Sequence, residues 1–180
     1  MQMAPDRSFG NDPLWHRIIA HPIGGEAAAA AFTRHLAREN LWTAAHAEAV
    51  VTEYRRFCYL ACVAGFEVTP SDAVDQAWHL HLTYTRDYWD GFCPHSLGRP
   101  LHHLPGDGTA EAADRFASQY GKTLGLYGEI FGHAAPAAIW PAPAQRFAQS
   151  SVRVDAGPFL LVRKKSLPGR LLRLFARPGR

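Results

Sequence analysis

Cysteine is scarce: Cys58, Cys62 and Cys93 are the only three in 180 residues. Three thiols cannot form a complete disulfide set, which excludes a disulfide scaffold and fits a reducing compartment. Long hydrophobic runs are missing too, and none approaches the roughly 18 residues that a membrane span needs. Met1 to Asp12 contains no hydrophobic segment of the secretory type, and the longest apolar run near it is Ala27–Phe32. A cytoplasmic protein is therefore expected. There is no internal repeat, no CxxC pair, no HExxH and no aromatic signature of RNA binding. Charge is modest, with 19% charged against 47% apolar residues, which excludes a disordered chain and suits one globular domain with a real core.

The small net charge hides an asymmetry. Residues 151–180 carry eight Lys or Arg and one acid, Asp155, whereas residues 1–150 carry 11 basic and 15 acidic residues. The expected organisation is a helical domain over 1–148 and a basic appendage over 149–180, the appendage offering itself to a protein partner or an anionic surface. Its segments 152–154 and 159–162 flank Asp155-Ala156-Gly157-Pro158, a hairpin pattern. Leu167, Leu171, Leu172, Leu174 and Phe175 among arginines suggest a short amphipathic helix. A solvated extension is the plain alternative.

The body reads as mostly α, a bundle-like arrangement of about five helices. Asp12-Pro13 is a cap followed by the residue best suited to a first helical position. Helices are expected from about Glu26 to Asn40, from Thr43 to about Ala64 and from Ser71 to about Phe92, and another opens at Thr109. Ala47, Val50, Val51, Tyr54, Phe57, Cys58 and Ala61 give the spacing of a buried face. In the last helix, Gly121, Gly125 and Gly128 weaken the pattern and suggest close packing. Residues 134–145 read as an ordered strap, because Trp140 has to be buried.

Chemistry concentrates in one place. Asp75-Gln76-Ala77-Trp78-His79-Leu80-His81, then Tyr88, Cys93, His95 and the pair His102-His103, put five histidines into 29 residues. On a regular helix, at about 100° per residue, Asp75 and His79 share a face whereas His79 and His81 point about 160° apart. The first two can therefore bind one metal, or the carboxylate can orient the imidazole; the HxH pair cannot chelate. Cys93 lies about 21 Å further along such a helix, too far to join His79. The loop from Cys93 to His103 spans up to about 33 Å and can fold back. The sharpest candidate is a divalent metal site, zinc or iron, made of Asp75, His79 and His103 with Trp78 as a wall. His81, Cys93, His95 and His102 are weaker ligand candidates. Without metal, His79 is a candidate base oriented by Asp75. Against these stands a structural reading, in which the WHxH segment is core architecture, His81 packs beside Tyr88, and the protein is a non-enzymatic interaction module.

Trp78, His79, His81, Tyr88, Cys93 and His103, with Gly98-Arg99-Pro100-Leu101 between them, resemble the glycine-rich domain-containing protein-like family, in the form of its shorter bacterial members. The resemblance covers roughly residues 45–105. It implies no agreed activity, and this chain lacks the glycine-rich C-terminal region of the plant members.

Overall fold

The computed structural model describes residues 9–103 and 110–147, and every regular element among them is helical. A single 3-10 turn, Phe9–Asn11, leads into α1 (Pro13–Ala20), α2 (Ala29–Asn40), α3 (Ala44–Val63) and α4 (Asp72–Thr83). A π-helical segment follows at Asp87–Leu97, then α5 (Ala110–Phe131) and the short α6 (Pro143–Phe147). The sequence foretold a mostly helical body, and that is what is found. The expected hairpin, the amphipathic helix and the 149–180 appendage lie outside the described residues.

The starts of the helices follow their caps. Asp12 accepts from the Leu14 N–H at 2.8 Å, Thr43 from the His46 N–H and Ser71 from the Val74 N–H, each at 3.2 Å. Each supplies an acceptor to a first-turn N–H that has no partner within the helix.

α3 is the hub, touching α1, α2, α4, α5 and the π-helical segment. Val50, Tyr54, Phe57, Cys58 and Leu60 are fully buried along it. Its polar residues tie down the rest. Arg55 donates to the carbonyls of Ile18, Ile19 and His21, closing the open end of α1, while Tyr59 donates to the capping Asp12. Glu53 receives the Trp140 indole N–H at 2.9 Å, so the strap after α5 is anchored on α3, with Trp140 stacked on Tyr120.

Two expectations are corrected. The fourth helix does not run to Phe92: it stops at Thr83, Tyr84 leaves helical geometry, and the chain resumes with wider i→i+5 turns. Pro94 lies inside that segment, where it brings no N–H for the ladder. Nor do Gly121, Gly125 and Gly128 allow close packing among the described residues, since a Cβ at any of them would meet none of those residues within 4 Å.

Candidate functional site

Asp75 and His79 lie one turn apart on α4, and Asp75 sits in the first turn, where the helix dipole favours a carboxylate. His103 reaches them from the loop after the π-helical segment. Gly98 begins that loop at a positive φ of 73°, and both its N–H and that of Arg99 bond to the Cys93 carbonyl. Such a reversal favours glycine, which has no Cβ to clash. The chain then turns back over α4.

Three side chains converge. His103 Nε2 lies 2.8 Å from Asp75 Oδ1 and 3.0 Å from His79 Nε2, and His79 Nε2 lies 3.7 Å from Asp75 Oδ2. His79 is half exposed, its side chain 45% accessible, whereas Asp75 and His103 are more covered at 24% and 17%. The site is thus a shallow one at the protein surface, open on the His79 side. Trp78 forms its floor, with its ring 4.6 Å from that of His103 and 5.1 Å from that of Phe57. The Trp78 indole donates to the Tyr88 hydroxyl at 2.8 Å, and Tyr88 donates to the Leu101 carbonyl at 2.5 Å.

Around His79 and His103 the protons do not suffice. An imidazole nitrogen has one in-plane direction, filled by either a proton or a lone pair. His103 Nε2 faces both a carboxylate oxygen and another imidazole nitrogen. A proton on it satisfies one of them; a lone pair faces the carboxylate unfavourably.

A second group has the opposite character. His81 is fully buried; Tyr54 lies 2.9 Å from its Nδ1 and Asp87 Oδ2 lies 2.9 Å from its Nε2. Burial lowers the His81 pKa to about 4 against the opposing pull of Asp87, so the ring is neutral at pH 7. An ionised carboxylate only accepts, so Nε2 carries the proton and the Tyr54 hydroxyl donates to Nδ1. Asp87 also receives His21 Nε2 at 3.1 Å and the Gly24 N–H at 2.7 Å. Burial pushes the Asp87 carboxyl up, but these three donors together outweigh it and hold it below its usual range. Every contact in this group has its proton. It straps the turn after α1 to the start of the π-helical segment.

Of the sequence candidates, Asp75, His79 and His103 come together, with Trp78 and Tyr88 beside them. His81 belongs to the second group, as the opposite directions of His79 and His81 on α4 require. Cys93 is buried, and burial raises its pKa, partly offset by the Leu101 backbone and the Tyr88 hydroxyl, both of which lie beside its sulfur. His95 is exposed, and His102 is turned away onto Trp89, the ring centroids 5.3 Å apart. On a helix unbroken from Ser71 to Phe92, as the sequence leads one to expect, Asp87 falls on the solvent face, and this is corrected. The break at Tyr84 and the wide turn that follows rotate it inward, to 13% side-chain exposure. His21, which bonds Asp87, carried no sequence signal beyond its residue type, and Tyr54, which bonds His81, was legible only as part of a buried helix face.

The family resemblance is corrected as well. The family model that matches is UCP032817-like, over residues 26–118, and no glycine-rich domain is found. No curated protein and no solved structure matches the chain. The matched span holds Asp75, His79 and His103 and stops short of His21. With just over half of its length matched, the chain belongs to the uncharacterised UCP032817-like family.

Proposed function

We propose that the protein binds one divalent metal, zinc or iron(II), through Asp75, His79 and His103. The observation that carries this reading is the shortage of protons among three converging ligand atoms. A metal ion accepts all three lone pairs at once, whereas a proton serves one contact. The spacing suits an ion as well. Bonds of 2.0–2.2 Å at tetrahedral angles put ligand atoms about 3.3 Å apart, and the contacts here are 2.8, 3.0 and 3.7 Å.

Two histidines and one carboxylate leave coordination positions for water or a substrate, the arrangement of metal sites that do chemistry rather than only hold a fold. A bound ion there would activate water or polarise an oxygen. His79, the most exposed of the three, marks the side of approach. In this reading, His81 and Trp78 are framework. A cytoplasmic location suits the three unpaired cysteines, and among the described residues no helix is long and apolar enough to cross a membrane.

Elemental analysis of the untagged protein, beside His79→Ala and His103→Ala, tests the proposal. One equivalent of zinc or iron is expected in the wild type and a small fraction of it in either variant, with both variants still folded by circular dichroism. A wild type that stays metal-free after incubation with zinc and with iron(II) would sink the reading.

A further inference from the structure

We infer that Tyr88 is a positioning residue for this site, because it fixes the loop that delivers His103. The inference rests on the metal reading above for its significance, but the geometry is separate from it. Asp75 and His79 ride on one helix and need no further help to stay together. His103 is 24 residues from His79 along the chain and arrives on a loop, so its place depends on what holds that loop.

The hold is concentrated at Leu101, two residues earlier. Its carbonyl takes the Tyr88 hydroxyl proton at 2.5 Å, and its backbone lies beside the Cys93 sulfur. The Tyr88 hydroxyl oxygen in turn accepts the Trp78 indole N–H. Tyr88 is fully buried, and burial drives its pKa well above the ordinary tyrosine value, so the hydroxyl keeps its proton and remains a donor. The same Trp78 ring packs on the His103 imidazole. One tyrosine oxygen thus joins the floor of the site to the backbone of the loop that closes it. Tyr88 stands at the start of the π-helical segment and Cys93 in its middle; the wide turns bring both toward Leu101.

Groups that orient metal ligands typically cost 10–100-fold in affinity when removed. Tyr88→Phe keeps the ring and deletes the hydroxyl. Tyr54→Phe is the matched control: Tyr54 is equally buried, but its hydroxyl bonds His81 rather than the loop. Cobalt(II) serves as the probe, because its visible absorption reports ligand number and geometry. The expected result is a 10–100-fold weaker cobalt complex with an altered spectrum in Tyr88→Phe, and wild-type affinity in Tyr54→Phe. Metal-free protein supplies a second readout at fixed pH: the imidazole NMR resonances of His103, identified with His103→Ala, shift in Tyr88→Phe and stay in place in Tyr54→Phe. Unchanged resonances and unchanged affinity in Tyr88→Phe overturn the inference. A wild type that ignores cobalt while the resonances shift overturns the metal reading and leaves the positioning role standing. If Tyr88→Phe does not fold, the wild type supplies the test: a slowly exchanging Tyr88 hydroxyl proton with nuclear Overhauser contacts to the Trp78 indole N–H and to the Leu101–His103 backbone is expected, and its absence overturns the inference.

Discussion

A carboxylate that is 3% exposed needs a donor for each oxygen it withholds from water, and Glu53 has them. Arg56 bonds Oε1 at 2.6 Å, while Tyr127 and Trp140 bond Oε2 at 3.0 and 2.9 Å. These partners come from α3, α5 and the strap, so one residue fastens three segments. Glu53→Ala leaves the Arg56 charge without its acid and two buried donors without an acceptor. Removing one member of such a pair costs about 3–5 kcal/mol, which should appear as a lower urea midpoint. Metal uptake at Asp75, His79 and His103 should survive in the fraction that remains folded; a loss below about 1 kcal/mol would show that the network is dispensable. The sequence did hold a sign of this residue. Glu53 stands three residues after Val50 and four before Phe57, an acid on an apolar stripe. That Tyr127 and Trp140, 74 and 87 residues away, would be its partners left no sign.

At the scale of elements, the legible parts were those whose cause is local. Asp12-Pro13, Thr43 and Ser71 announce helix starts because capping involves only a few consecutive residues. Asp75 and His79 were readable as a pair for the same reason, since four residues of regular helix fix their relation. The end of α4 was not. His81, Tyr88 and Phe92 do share a buried stripe, so the hydrophobic period runs straight through the break at Tyr84 and gives no hint of it. Tertiary contacts decide there: Asp87 is drawn in by His81, His21 and the Gly24 N–H. α5 offers a test of local propensity alone. Gly121 and Gly125 are exposed in its interior with room for a methyl group. Glycine there costs about 0.5–1 kcal/mol relative to alanine. Gly121→Ala and Gly125→Ala should therefore each raise the melting temperature by about 1–4 °C in a protein of this size. A fall in either would mean that something covers that face of α5.

For the molecule as a whole, the second histidine group sets the response to acid. His81 is buried and neutral, with its pKa lowered to about 4 from 6.5. Between those values the unfolded chain takes a proton on this ring and the folded chain refuses it. Stability therefore falls as the pH drops through that window, by about 1.4 kcal/mol per pH unit and about 3 kcal/mol in all. Asp87 extends the loss further into acid. Its carboxyl is held below the usual 3.8 in the fold, so its contribution is present above that value and disappears as the pH falls through the lower folded value. Urea denaturation at pH 7 and pH 4.5 reads the first term directly, and the midpoint should drop steeply between them. His81→Gln keeps an acceptor for Tyr54 and a donor for Asp87 but cannot titrate. It should be less stable than the wild type at pH 7, because an amide fits the space of an imidazole imperfectly, yet its pH dependence above pH 4.5 should be flatter by most of that 3 kcal/mol. An equally steep slope in His81→Gln would move the acid response to other groups and would mean that this ring is charged inside the fold.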